Sequence, residues 1–254
     1  MRQAAVIAAN TFRETTRDRV LAVILVFALI MIAGGLWLAS ISLGEQGRMM
    51  KDFGLVAVTG FGLVVAVFVA ASLVRKEIEK RTVYVLFSKP VSRTAFIVGK
   101  FLGMCGTMAV VMAGMGCFLF ALVWLVGGGP SGTVLLATAM IYVQLVVVIA
   151  VTILFSTMTS AILASVLGIC VFIAGQLSHN VLSLTQLGHN TLTEVLSWVV
   201  YVLIPNFTAI DVKVAAVGET NAGWGQLALW TAYLAAYVVV VLVLSTAIFR
   251  RKEF

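Results

Sequence analysis

The chain has 254 residues, 62% apolar and 11% charged, with 17 Lys and Arg against 10 Asp and Glu for a net charge of +7. A soluble domain carries about 25% charged residues. A mean hydropathy of +1.12 therefore excludes a water-soluble enzyme or a disordered chain and leaves a protein whose main solvent is lipid. Its basic excess reports orientation rather than a nucleic-acid partner. Cys105, Cys117 and Cys170 lie inside apolar runs, and three is no disulfide framework or CxxC metal site.

A segment with Arg2, Arg13, Arg17 and Arg19 precedes the first apolar run, 20–43. That run is too long for a signal-peptide core and is expected to stay as an anchor. Further runs follow at 53–74, 101–126, 134–155, 161–177 and 227–249. About 20 apolar residues cross about 30 Å of hydrocarbon. The expectation is an all-α polytopic membrane protein with six transmembrane helices, a single transmembrane domain over 1–254. Fourteen of the 17 bases lie before the first run, in the stretch 75–100 or in the tail of Arg250, Arg251 and Lys252. Only Arg48, Lys51 and Lys213 fall on the opposite side. This asymmetry places both termini and 75–100 in the cytoplasm.

On the third run, Met104, Met108, Met112 and Met115 share one narrow helical face. Soft sulfur ligands suit Cu(I), but methionine is also an adaptable filler between helices. These four are pathway or packing candidates. Ser156-Thr157-Met158-Thr159-Ser160 separates the fourth and fifth runs. One continuous helix there would force the basic tail outside. Ser156, Ser160, Ala164 and Gly168 form a line of small residues, as does Gly99-xxx-Gly103. Such lines permit close helix approach, within one chain or at a homodimer seam.

The outer segment 178–226 contains ten residues, 195–204, too short to span and ending at Pro205. A re-entrant helix that returns to the same side is expected; a surface-lying helix anchored by Trp198 is the alternative. The phrases His179-Asn180 and His189-Asn190 have no metal-pair spacing on one helix, and no metal site is expected. On the last run Gln226, Trp230, Tyr233 and Tyr237 share a face, and the Tyr237 hydroxyl near mid-span needs a partner, in packing or along a pathway.

No ionisable residue falls within the six runs, which argues against a proton relay. No membrane-embedded Ser and His pair exists for proteolysis. The only Gly-Lys, Gly99-Lys100, is followed by Phe101, so no phosphate-binding loop is present. A non-catalytic chain is expected, with any energy source on another polypeptide.

The stretch 75–103 reads RKEIEKRTVYVLFSKPVSRTAFIVGKFLG. Mixed charges lead into an apolar run. Pro90 then disfavours helix at Lys89, and Ser92 or Thr94 can cap a helix that re-enters the membrane. An ordinary basic loop drawn to anionic headgroups would look similar.

At these residues the chain resembles the permease subunits of six-span, exporter-like ABC transporters of the ABC-2 type. The E-x-E stretch at Glu77 and Glu79, the apolar run, Pro90-Val91-Ser92-Arg93 and the Gly99-Lys100-Phe101-Leu102-Gly103 helix start carry the likeness. The basic amino-terminal segment from Asn10 and the broken outer segment also agree. The resembling group includes permeases of copper-enzyme maturation.

The resemblance implies a cytoplasmic coupling helix between the second and third spans. Glu77, Glu79, Lys80, Arg81, Lys89, Pro90 and Arg93 become ATPase-coupling candidates. It also implies an amino-terminal interface helix over 1–19, with Arg13, Glu14 and Arg17 as candidates. The expected assembly has two copies of a cytoplasmic ATPase holding ATP and Mg, no cofactor on this chain, and a second permease copy as a homodimer. It would sit in the bilayer of the cell inner membrane and export a cargo. The alternative is a non-transporting scaffold that passes ATPase motion to an extracytoplasmic partner.

Overall fold

The computed structural model describes residues 2–18, 20–41, 46–79, 93–125, 132–185, 204–208 and 224–251. The described residues form seven helices: α1 (Arg2–Asp18), α2 (Val20–Ile41), α3 (Gln46–Glu79), α4 (Arg93–Leu125), α5 (Gly132–Met158), α6 (Ala161–Thr185) and α7 (Trp224–Arg251). Four contain windows long and apolar enough to cross a membrane: Gln46–Ser72, Thr94–Leu125, Gly132–Met158 and Gly225–Phe249. The chain is a multi-pass, all-α membrane protein. Where six spans were expected, α2 and α6 contribute shorter apolar segments, Ala22–Gly35 and Ala161–Leu177.

The helices outrun the apolar runs from which they were inferred. Once started, a helix adds one hydrogen bond per residue fixed, so it continues into charged sequence. α3 carries through Arg75, Lys76 and Glu77 to Glu79, and α4 already begins at Arg93. The stretch 75–100 is thus helical at both ends, and 80–92 lies outside the described residues. Lys51 and Lys100, just before their apolar runs, are buried within α3 and α4. The Lys100 ammonium lies 5.9 Å from the centroid of the Phe96 ring, a cation–π distance. That ring stacks on Phe249 of α7 at 5.9 Å.

The break between α5 and α6 falls where the polar turn suggested. Met158 ends one helix and Ala161 begins the next. The Leu163 amide donates to Ser160 Oγ at 3.4 Å, and the Ala164 amide to the Ser160 carbonyl at 2.9 Å. Ser160 is the cap of α6.

α5 is the central post, packed against α3, α4, α6 and α7. Missing side chains let the others close in. Gly62 of α3 faces Leu145 and Met112, Gly116 of α4 faces Thr138, and Gly168 of α6 faces Thr152 and Val67. Phe27 of α2 meets the rings of Phe61 and Phe118 edge-on at 5.8 and 6.2 Å, a favoured aromatic geometry. Most buried hydroxyls return to their own helix, as Thr59 does to the Leu55 carbonyl and Thr107 to that of Gly103. Ser156 instead crosses to the Ala71 carbonyl of α3 at 3.0 Å. Thr152 is buried with no hydrogen-bond partner.

α1 is docked lengthwise on α4. A β-carbon placed on Gly99 would stand 2.9 Å from the Ala4 carbonyl oxygen, and one on Gly103 2.7 Å from that of Ala8. Phe12 lies over Gly106. The contacts advance together along both chains, so the two helices run in the same direction with their backbones touching. The Gly99-xxx-Gly103 line is therefore filled from within the chain, as is the Ala164 and Gly168 line.

Gly103→Val should force α1 off α4 at a cost of about 1–3 kcal/mol, the range for overpacking a close contact. The expected readout is faster tryptic cleavage at Arg13 and Arg17 in purified protein, and an unchanged rate would contradict this packing. Thr152→Val removes an unpartnered buried hydroxyl at nearly constant shape. It should leave thermal stability unchanged or raise it by up to about 1 kcal/mol, as checked by melting in detergent.

Candidate functional site

The coupling candidates divide among three places. Glu77 and Glu79 belong to the last turns of α3, and Arg93 is the first residue of α4. Lys80, Arg81, Lys89 and Pro90 lie outside the described residues. Arg13 and Glu14 are exposed on α1, and Arg17 is in its last turns. Because α1 is seated on Gly99 and Gly103, the amino-terminal helix and the helix leaving the 80–92 connection form one packed unit.

Met104, Met108, Met112 and Met115 are all buried in the main hydrophobic core. Sδ of Met112 would stand 3.2 Å from a β-carbon on Gly62, so this sulfur fills a notch between α3 and α4. All four are packed as methionine packs between helices. Among the described residues no three His, Cys, Asp or Glu side chains gather as a metal site. Tyr237 is half-buried against the core, and Trp230 and Tyr233 meet edge-on at 5.9 Å. Side chains of the two His-Asn phrases lie outside the description.

A cavity of about 360 Å³, open on one side, lies between α4, α5 and α7. Its wall is mainly apolar, with Phe101, Val146, Leu234 and Val238 among its residues. The Tyr142 hydroxyl on this wall donates to the Cys105 carbonyl at 3.1 Å. That bond supplies the partner a phenol requires in an apolar site.

Among the described residues, one polar arrangement in the interior joins three segments. Gln144 on α5 is 1% exposed. Its Nε2 donates to the Phe207 carbonyl at 3.2 Å, while its Oε1 accepts from Gln176 Nε2 of α6 at 3.2 Å. The Phe207 amide donates to the Gly175 carbonyl, also at 3.2 Å. The Phe207 ring is fully buried and lies 5.7 Å from that of Phe172. Gly175 makes the approach possible, since a β-carbon there would stand 2.7 Å from the Pro205 carbonyl oxygen and meet the Phe207 ring.

Gln144 lies about 18 Å along α5 at 1.5 Å per residue. The non-helical backbone of 205–207 thus reaches the middle of a helix long enough to cross a membrane. Irregular backbone is tolerated at such depth only where protein surrounds it and satisfies its polar groups. The signal in the sequence was a lone glutamine in each of two apolar runs, Gln144 and Gln176. Neither is ionisable, so the placement of charge in the sequence carries no trace of them.

Gln144→Leu leaves the Phe207 carbonyl buried without its donor and should destabilise the protein by about 1–3 kcal/mol. Gln176→Leu keeps that bond and should have the smaller effect. Melting of both variants in one detergent orders them, and equal losses would contradict the arrangement.

No curated protein matches the chain. A family described as a protein of unknown function, DUF2705, matches residues 22–254, from α2 through the end of the chain. With nearly the whole chain covered, this multi-pass helical membrane protein belongs to the DUF2705 family.

Proposed function

We propose that this chain is the membrane-spanning permease subunit of an ATP-driven transporter of the ABC-2 kind, working in export with a separate cytoplasmic ATPase. In this reading α2 and α6 join the four longer helices as spans. Both termini and the 80–92 connection are cytoplasmic, following the distribution of Lys and Arg. Two permease copies and two ATPases form the assembly in the cell inner membrane.

The observation that carries the reading is the seat of α1 on Gly99 and Gly103, a few residues after the 80–92 connection. A force applied to that connection reaches Arg93 and enters α4, and the backbone contact makes α1 move with it. α4 in turn packs on the central post α5, so motion at the cytoplasmic end has a stiff path to mid-depth. The extension of α3 through Glu77 and Glu79 provides a second rigid arm on the other side of the connection. The absence of a phosphate-binding loop in the sequence leaves nucleotide hydrolysis to the partner.

The test is co-purification and co-reconstitution with an ABC ATPase from the same cell. Combined Glu79→Lys and Arg81→Glu reversal should lower stimulated ATP hydrolysis by about tenfold or more, the scale of mismatched charge at an interface. Folding is followed by melting in detergent. Stimulation untouched by the reversal would count against coupling through this connection. A cysteine at position 85 should react with an impermeant maleimide only after cells are opened; reaction in intact cells overturns the orientation. Stimulation of hydrolysis without cargo flux would favour the scaffold function.

A further inference from the structure

Phe207 is held as a ligand is held. Its N–H is read by the Gly175 carbonyl, its C=O by the Gln144 amide and its ring by Phe172 in a space that Gly175 leaves open. The receiving groups all come from α5 and α6, two helices joined by a tight turn at Ser160. The segment they hold runs from a bend at Ile204 through irregular backbone to Phe207, and Thr208 Oγ1 donates to Asn206 Oδ1 at 2.6 Å.

Gln144 and Gln176 are also bonded to each other, which fixes the direction of the donor. That bond does not involve Phe207, so the orientation of the donor does not depend on Phe207. The recognition groups of the slot are a carbonyl, an amide N–H and an aromatic wall, and they match an amide-bearing aromatic molecule as well as they match this residue.

We propose that the slot formed by Gln144, Gln176, Phe172 and Gly175 is a mid-depth binding site for apolar, amide-bearing aromatic molecules of the acylated phenylalanine type, occupied in this conformation by the chain's own Phe207. Withdrawal of Pro205–Phe207 opens the site, and the segment competes with the ligand for the same hydrogen bonds. Calling the ligand cargo rests on the transport reading; its binding does not. Self-occupation lowers apparent affinity by the fraction of molecules in which the segment is displaced, so removal of the Phe207 side chain should raise it.

The probe is N-acetyl-p-benzoylphenylalanine amide, photo-crosslinked to the full chain in detergent with no ATPase present. Phe207→Ala should increase labelling of α5 and α6 at least about fivefold over the wild type. Adding Gln144→Leu should remove most of that gain, as expected for losing a charge-free hydrogen bond in a dry site. Equal labelling of all three chains, or none in a folded Phe207→Ala chain, overturns the proposal.

A second measurement uses the wild type alone. Hydrogen exchange at Phe207 should accelerate as N-acetylphenylalaninamide is added, because the ligand displaces the segment, and exchange unchanged at saturating solubility also overturns it. If labelling follows the slot while ATPase stimulation fails, the site stands and the transport reading falls.

Discussion

A main-chain carbonyl inside hydrocarbon must find a donor within the protein, because no water is there to supply one. Nearly every feature of this chain answers that demand. Its apolar runs fold as helices, which satisfy their backbones internally, and its buried hydroxyls mostly fold back on their own helices. Among the described residues the exception is the irregular stretch 205–207, where the Phe207 carbonyl is met by Gln144 and its N–H by Gly175. One amide side chain thus permits a non-helical segment at a depth where lipid would forbid it.

The second constraint is closeness. Helices in lipid gain little from hydrophobic burial against each other, so they associate where small residues admit tight contact. Here those places are Gly99 and Gly103 beneath α1, Gly62 and Gly116 around α4, and Gly168 beside Thr152. The contacts join the amino-terminal helix, the helix leaving the 80–92 connection and the central post into one mechanical train. A functional reading built on transmitted force draws its support from this continuity, not from any reactive group.

Much of the fold was legible because apolar length and charge are strong signals in a membrane protein. The separate helices and the break at Ser160 could be read directly, the latter from five polar or flexible residues between two apolar runs. Helix ends were less readable. Glu77 and Glu79 look like loop by composition, yet they extend α3, since hydrogen bonding propagates regardless of side-chain polarity. The Gly99-xxx-Gly103 line announced a contact without naming its partner, because α1 shows no long apolar run of its own. The Gln144, Gln176 and Phe207 arrangement was hidden for another reason. Its meaning lies in pairing across three segments, and a single uncharged amide in an apolar run barely alters hydropathy.

The Ser160 turn also works as a vernier for the two glutamines, which sit nearly level on the paired helices either side of it. One residue inserted between Ala161 and Gln176 would swing the second amide about 100° around its axis, out of reach of the first. Three or four would bring it back into phase but lift it about 5 Å. Length variation that a surface loop absorbs easily is thus disallowed in this hairpin. Within its relatives the stretch from Gln144 to Gln176 should vary in composition far more freely than in residue count.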